Sequence, residues 1–196
     1  MRFPRLLAAA ALLALAAALP DRPADAVQKG WYDRAVKSVG ATFEPAEAKP
    51  GQTVTFKLTV DLNDGYHTYP TVQPDKAAAD MVNVIQFPGP GAVVFVGAVT
   101  DPAKFETKAE PDLGIKELRE NGGTVVYTRK AVVTPSATSG PVTVKLTAFK
   151  LMVCDKSNCF PPKTIPIEAA LKVLPGPAVP VEAAYADEVT KALAGK

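Results

Sequence analysis

The sequence lacks a large excess of charge of either sign. Its 22 Lys and Arg residues nearly balance its 20 Asp and Glu residues, so the formal net charge is only +2. Part of that charge comes from Arg2 and Arg5 at the N-terminus. A basic stripe of the kind that binds nucleic acid is missing, and we therefore expect no nucleic-acid partner.

Long apolar runs are also lacking, with one exception at the N-terminus. Arg2 and Arg5 precede a Leu- and Ala-rich run over residues 6–19, and Ala24 and Ala26 offer a small-residue cleavage site. This order is typical of a secretory signal peptide, and the run is shorter than the roughly 20 residues of a membrane-spanning helix. We expect cleavage after Ala26 and a periplasmic or secreted mature chain with no membrane span. An uncleaved N-terminal anchor is the alternative.

The composition does not favour a helix-rich fold either. The chain has 19 prolines, which break helices, and they are spread among β-branched residues. Residues 53–62 alternate apolar and polar side chains, the period of a half-buried strand. Further strands are predicted at residues 39–46, 66–69, 81–87, 93–99, 124–133, 142–153 and 164–173, with turn residues between them. This pattern predicts an all-β fold, an antiparallel β-sandwich.

The predicted domain boundaries follow these patterns. After the signal peptide at residues 1–26 comes a loosely held N-terminal extension at residues 27–38, which contains Trp31 and Tyr32. The β-domain spans residues 39–174, and residues 175–196 form a Pro-rich linker and a short tail helix. Apolar residues recur in the tail at helical spacing, so the helix either docks on the domain or frays: Val181, Ala184, Tyr185, Val189 and Leu193.

Residues 100–121 interrupt the strand pattern. This segment is charged, contains two prolines (Pro102 and Pro111) and is long for a connection between strands. Long loops in compact domains often carry function. We predict a loop here, either functional or a solvated connection with a short helical turn at residues 115–119.

Cysteine is scarce, since the chain has only Cys154 and Cys159. An oxidising compartment favours a disulfide between them. Because a disulfide needs Cα atoms about 4.4–6.8 Å apart, the chain must reverse between them, at the tip of a hairpin or tight loop. A disulfide that closes so short a loop stabilises the fold by only about 2 kcal/mol. A mainly structural role is therefore less favoured than a pair that exchanges with partner thiols.

Two other interpretations of the cysteine pair remain open. In the first, the disulfide only fixes a loop of a non-enzymatic protein-binding module. In the second, the pair belongs to a soft-metal site, since Met152, Cys154, Cys159 and His67 are ligand types that copper(I) prefers. The single histidine and the missing Cys-x-x-Cys motif count against the metal.

The cysteine segment resembles a known family. VCDKSNCFPPKTIPI at residues 153–167 and DGYHTY at residues 64–69 are similar to motifs of the N-terminal periplasmic domain of the thiol:disulfide interchange protein DsbD, the disulfide bond corrector family. The family motif runs from a strand through a cysteine, a short polar loop, a second cysteine and an aromatic or aliphatic residue to Pro-Pro. The resemblance covers roughly residues 39–173.

This resemblance implies an immunoglobulin-like fold, no prosthetic group and a redox relay through Cys154 and Cys159. The implied partners are a membrane-embedded thiol carrier and thioredoxin-like exported proteins. His67, Tyr69 and Phe160 are the implied site-lining residues. In that family an aromatic residue on a cap loop shields the cysteines; Phe105 is the best candidate by residue type, although the family's cap aromatic aligns nearer residues 112–114.

Overall fold

The structure is a computed structural model, and it describes residues 30–195. The predicted signal peptide and its cleavage after Ala26 lie outside the described residues. The helices are α1 (Trp31–Ala35) and α2 (Ala183–Ala194), and single turns of 3-10 helix lie at Lys76–Ala78 and Pro111–Leu113. The strands are β1 (Val36–Glu44), β2 (Glu47–Ala48), β3 (Thr53–Leu62), β4 (His67–Thr68), β5 (Val84–Gln86), β6 (Val93–Thr100), β7 (Glu106–Glu110), β8 (Ile115–Gly122), β9 (Thr124–Val133), β10 (Gly140–Lys145), β11 (Ala148–Leu151), β12 (Val153–Cys154), β13 (Lys163–Thr164) and β14 (Glu168–Val173).

The strands form several small sheets. Their orders are β1-β3-β9-β6, β10-β14-β2, β13-β11-β5 and β12-β4-β8-β7. Within residues 30–195, neighbouring strands pair antiparallel except β14 and β2, which pair parallel. The predicted all-β antiparallel sandwich with a short C-terminal helix is confirmed.

The central strand β3 shows why the alternating pattern becomes a sandwich. Its side chains alternate between buried and half-buried along the whole strand, and the apolar face lies in the main core. Buried residues of β1 and β9 share this core with residues of β10, β11 and β14. The apolar faces of separate sheets therefore pack on each other. Each Å² of apolar surface that this packing removes from water stabilises the fold by about 25 cal/mol.

The tail helix α2 docks on the β1-β3-β9-β6 sheet, on the face that is turned away from the main core. Val189 is only 3% exposed and packs with Val94, Val96 and Val132 of β6 and β9. Glu188 accepts a hydrogen bond from the Gly97 N–H at 2.9 Å. The helical spacing in the tail therefore places an apolar stripe on the sheet, although Ala184 is exposed.

Residues 100–121 differ from the prediction, because most of them are strands. β7 and β8 form an antiparallel hairpin joined by the 3-10 turn and by Gly114, whose φ of 69° favours glycine. The predicted helical turn at residues 115–119 is wrong, since these residues belong to β8. Ile115 and Leu118 are buried, while charges on the exposed side of the hairpin obscured the strand pattern in the sequence.

The N-terminal extension also differs from the expectation of a loosely held segment. Residues 31–35 form α1, and Val36 already begins β1. Ala35 is fully buried, and its carbonyl accepts a hydrogen bond from the Asn63 N–H at 2.9 Å. The apolar contacts of this short segment therefore hold it on the domain.

The two long C-terminal strands of the prediction are each divided. Residues 142–153 fall into β10, β11 and β12, which pair with different neighbours, and residues 164–173 fall into β13 and β14. The division matters for the site, because β12 leaves the other strands and pairs with β4. As a result, Cys154 lies directly opposite His67.

Asn83 connects these strands through its buried side chain, which is 1% exposed. Its Oδ1 accepts from the Met152 N–H at 2.8 Å, which orients the amide so that Nδ2 faces the other partners. Nδ2 then lies 2.8, 2.8 and 2.7 Å from Thr68 Oγ1, the Tyr69 carbonyl and Tyr127 Oη, and its two hydrogens are shared among these three acceptors. One side chain thus ties β4 to β9 and to the segment before β12.

We predict that Asn83→Leu lowers the free energy of unfolding by about 2–4 kcal/mol, because it leaves buried partners without a hydrogen bond. Urea denaturation measures the change. Asn63→Leu is the matched control: its amide donates one hydrogen bond, to the Arg34 carbonyl, at a less buried position, and it should cost less than about 1 kcal/mol. Equal losses in the two variants would contradict the role assigned to Asn83.

Candidate functional site

The two cysteines form a disulfide at the tip of a tight loop. Cys154 ends β12, and an isolated antiparallel bridge joins it to Cys159. The sulfur atoms are 2.01 Å apart and the Cα atoms 4.0 Å apart. The predicted disulfide and chain reversal are confirmed, with the Cα atoms slightly closer than the range used for the prediction.

Asp155 holds the loop between the cysteines in shape. Its Oδ1 accepts from the Ser157 N–H and the Asn158 N–H, both at 2.8 Å, and its own N–H donates to the Asn158 carbonyl at 2.8 Å. These backbone N–H groups lower the pKa of the exposed Asp155 carboxyl. Asp favours such reversals, so local hydrogen bonds support the loop in addition to the disulfide.

The two sulfur-bearing residues lie in different environments. Cys154 is 1% exposed and packs with Tyr69, Ile115 and Leu118 in a small apolar cluster. Cys159 is exposed at the surface of the loop. An external reagent therefore approaches the disulfide from the side of Cys159.

Tyr69 contacts the disulfide directly. Its hydroxyl donates to Cys154 Sγ at 2.9 Å and lies 3.6 Å from Cys159 Sγ. Burial raises the pKa of Tyr69 well above its usual range, and the nearby Glu120 and Glu110 carboxylates add to the rise. The phenol therefore remains a protonated hydrogen-bond donor at neutral pH.

His67 lies between Tyr69 and a charged cluster. Its Nε2 is 3.4 Å from the Tyr69 hydroxyl and 3.2 Å from Glu120 Oε2. The same Glu120 oxygen is 3.0 Å from Lys108 Nζ, which also contacts Glu110 Oε1 at 3.1 Å. Lys108 forms ion pairs with both carboxylates, and the buried Glu120 carboxylate lies between the imidazole and the lysine.

Opposing effects act on the imidazole. Burial lowers the pKa of His67 below its usual value, and the charge of Lys108 adds to this effect. The carboxylates of Glu120, Asp155 and Glu106 raise the pKa but do not cancel the burial. His67 is therefore mainly neutral at pH 7 while the disulfide is intact.

Phe160 belongs to an aromatic cluster on the other side of the loop. Its ring stacks on Trp31 of α1 with a centroid distance of 5.4 Å and an interplanar angle of 5°. Tyr66 approaches Phe160 at 6.3 Å, and the neighbouring Tyr32 ring lies 3.9 Å from Lys163 Nζ. Sequence reasoning missed Trp31 because nothing local connects it with a residue so distant along the chain.

A cavity of about 160 Å³ opens beside the disulfide. His67, Tyr69, Cys154 and Cys159 line it, together with Lys108 and Leu113 among others. Leu113 lies in the turn of the β7–β8 hairpin and is 60% exposed. The hairpin thus brings an apolar side chain to the cavity at residues 112–114.

Phe105, the candidate cap residue from the sequence, is placed differently. Its ring packs near the Arg119 guanidinium, 5.9 Å from the ring centroid, and it is not among the residues that line the cavity. Leu113, rather than Phe105, lines the cavity beside the disulfide.

His67 provides a direct measurement of the site's electrostatics, because it is the only histidine of the chain. In the untagged oxidised protein, we predict that its ring C–H proton signal titrates with a pKa below the usual value of about 6.5. Glu120→Gln should lower this pKa further, since the carboxylate favours the imidazolium. NMR titration checks both; a midpoint above the usual value would contradict the dominant effect of burial.

Leu113 and Phe105 can be compared as shields of the disulfide. We predict that Leu113→Ala raises the rate of reduction by dithiothreitol several-fold, because it removes apolar cover beside the sulfur atoms. Phe105→Ala should leave the rate near that of the unaltered protein. Stopped-flow measurement under identical conditions decides; a larger effect at Phe105 would restore that residue as the cap.

Further findings concern metals and membranes. Over residues 30–195, no three His, Cys, Asp or Glu side chains are grouped so as to hold a metal ion. With the disulfide formed, neither sulfur atom is a thiolate ligand.

None of the helices within residues 30–195 is long and apolar enough to cross a membrane.

The candidate site is defined by the disulfide. One of its cysteines is buried and the other is exposed, and a tyrosine hydroxyl contacts the buried sulfur. In comparisons with known proteins, the chain matches no protein-family model and no curated protein.

Proposed function

We propose that this chain is an exported thiol–disulfide exchange domain that passes electrons between partner thiol proteins through Cys154 and Cys159. The observation that carries the proposal is the asymmetry of the disulfide. Cys159 is exposed, whereas Cys154 is 1% exposed and accepts a hydrogen bond from the Tyr69 hydroxyl. Such a bond offers one sulfur to an external thiolate and holds the other sulfur beside a proton donor.

The exchange begins when a partner thiolate attacks Cys159 Sγ. A new S–S bond forms between the partner and Cys159, the Cys154–Cys159 bond breaks, and Cys154 Sγ leaves with the bonding electron pair as a thiolate. A second thiolate of the partner then attacks the partner's own sulfur in the mixed disulfide. The partner is released oxidised, and both cysteines of this chain are left reduced.

The reduced pair then passes its electrons on. The Cys159 thiolate attacks the disulfide of an oxidised protein, and the Cys154 thiolate resolves the mixed disulfide by attacking Cys159 Sγ. The domain's disulfide forms again and the acceptor is released as a dithiol. By the sequence resemblance, the electron donor is a membrane-embedded thiol carrier and the acceptors are thioredoxin-like exported proteins.

A purely structural role for the disulfide is less well supported. Closure of so short a loop stabilises a fold by only about 2 kcal/mol. Asp155 already holds the loop through backbone hydrogen bonds that do not involve the sulfur atoms. The bond can therefore open without loss of the loop's shape, as exchange requires.

We predict that Cys154→Ser and Cys159→Ser keep the fold, each losing no more than about 2 kcal/mol of the free energy of unfolding. Their thiols should differ in reactivity. The exposed Cys159 of the Cys154→Ser variant should form a stable mixed disulfide with glutathione disulfide or a thioredoxin-like protein. Cys154 in the matched Cys159→Ser variant should react at least roughly tenfold more slowly, because burial limits access to its sulfur.

Quantification of the mixed disulfides by mass spectrometry measures these rates. Equal reactivity of the two variants would contradict the assignment of Cys159 as the attacked residue. Collapse of both variants would instead support a binding module in which the disulfide is structural.

A further inference from the structure

The residues at the site form an unbroken line of polar contacts that ends at the buried sulfur. Glu120 Oε2 lies 3.2 Å from His67 Nε2, and this nitrogen lies 3.4 Å from the Tyr69 hydroxyl. The hydroxyl in turn donates to Cys154 Sγ at 2.9 Å. The contacts join residues from β8, β4 and β12, which the pairing of these strands brings together.

This line meets a chemical need of the exchange reaction. When the disulfide opens, Cys154 leaves as a thiolate at a position that is 1% exposed. A buried anion without compensation is costly, so a proton must reach the sulfur. Tyr69 alone does not supply it, because a buried phenolate would replace the buried thiolate.

We propose that His67 supplies the proton that neutralises the Cys154 thiolate, through the hydroxyl of Tyr69, with Glu120 positioning the imidazole. This inference rests on the proposed exchange function and adds a proton route to it. His67 and Glu120 act on the sulfur through Tyr69, which is the residue in contact with the reacting atom. The route couples opening of the disulfide to uptake of one proton from solvent.

The proton transfer is balanced as follows. The imidazolium form of His67 carries protons on both nitrogens. Its Nε2 proton passes to the Tyr69 oxygen while the Tyr69 hydroxyl proton passes to Cys154 Sγ. The products are a neutral Cys154 thiol, an intact Tyr69 and a neutral His67 with its proton on Nδ1. Solvent then returns one proton to the imidazole, and no electrons move in this step.

The charges around His67 come from every neighbouring element. Glu120 on β8 and Glu106 on β7 favour the imidazolium, as does Asp155 in the cysteine loop. Lys108 on β7 opposes it, and Lys156 lines the adjacent surface depression together with His67.

A thiolate formed at Cys154 adds one more negative charge, at the end of this line of polar contacts. The opened disulfide therefore strengthens the attraction of His67 for a proton at the moment when the proton is needed.

The test is the pH dependence of reduction by dithiothreitol. Stopped-flow rates for the untagged oxidised protein are measured between about pH 5 and pH 8, the range in which histidine titrates. Each rate is divided by the concentration of dithiothreitol thiolate. For the unaltered protein, we expect this normalised rate to fall as the pH rises through the titration of His67, because the donor form is lost.

The variants separate a proton route from a structural role. His67→Gln should give a normalised rate that does not vary with pH and is roughly 100-fold or more lower at the acid end, the scale of lost general acid catalysis. Glu120→Gln should move the inflection to lower pH. Glu117→Gln is the matched control on the same strand, where the carboxylate pairs with Arg119, and it should keep the unaltered profile.

Each outcome decides between the proposals. Identical profiles for folded His67→Gln and the unaltered protein would overturn the proton route and leave the exchange function standing. Failure of dithiothreitol to reduce the unaltered protein would overturn the exchange function itself.

If His67→Gln does not fold, the single histidine signal decides in the unaltered protein. Its NMR midpoint must agree with the inflection of the rate profile, and a clear mismatch would overturn the proton route.

Discussion

The hydrogen bonds of the buried Asn83 side chain are the constraint on which the rest of the site depends. The amide joins Thr68, Tyr127 and the Met152 N–H, which belong to separate strands or their immediate extensions. Moving any of these groups would leave a buried polar atom without a partner, at about 1–3 kcal/mol for each. The short strands β4 and β12 therefore have one favourable position, although each forms few ladder hydrogen bonds of its own.

This position determines the chemistry at the disulfide. With β4 fixed, the Tyr69 carbonyl accepts from the Tyr127 hydroxyl at 2.6 Å, and the Tyr69 hydroxyl reaches Cys154 Sγ. The Asp155 loop then turns outward and exposes Cys159. One arrangement of strands thus gives a buried sulfur beside a hydrogen-bond donor and a second sulfur that is exposed to solvent. Exchange chemistry uses that difference.

The sequence predicted the regular parts of the fold well. β3 begins and ends where the alternation of apolar residues begins and ends, because a half-buried strand in the middle of a sheet has a clear period of two. β9 also spans the predicted residues 124–133. The β7–β8 hairpin was missed because charged residues that form ion pairs, such as Arg119 with Glu117, lie on its surface. When only the sequence is considered, two short strands rich in charged residues on either side of a turn look the same as a solvated loop.

The candidate site was predictable only in part. The spacing of Cys154 and Cys159 predicted a turn-borne disulfide, and a strand was predicted at residues 66–69, where β4 lies at His67–Thr68. The contacts of Glu120 and Trp31 depend on strand pairing and on packing between distant segments. No local pattern encodes such contacts. Residue type alone favoured Phe105 as the cap, whereas the fold places Leu113 at the cavity, within residues 112–114.

The reduction potential of the Cys154–Cys159 pair tests the proposed exchange function most directly. It is measured by equilibrating the protein with redox buffers of known potential and trapping the free thiols at each point. We predict a reversible two-electron transition above about −300 mV, in the range of labile and catalytic disulfides. A pair that resists reduction until potentials below about −300 mV would behave as a structural disulfide and would contradict the exchange function.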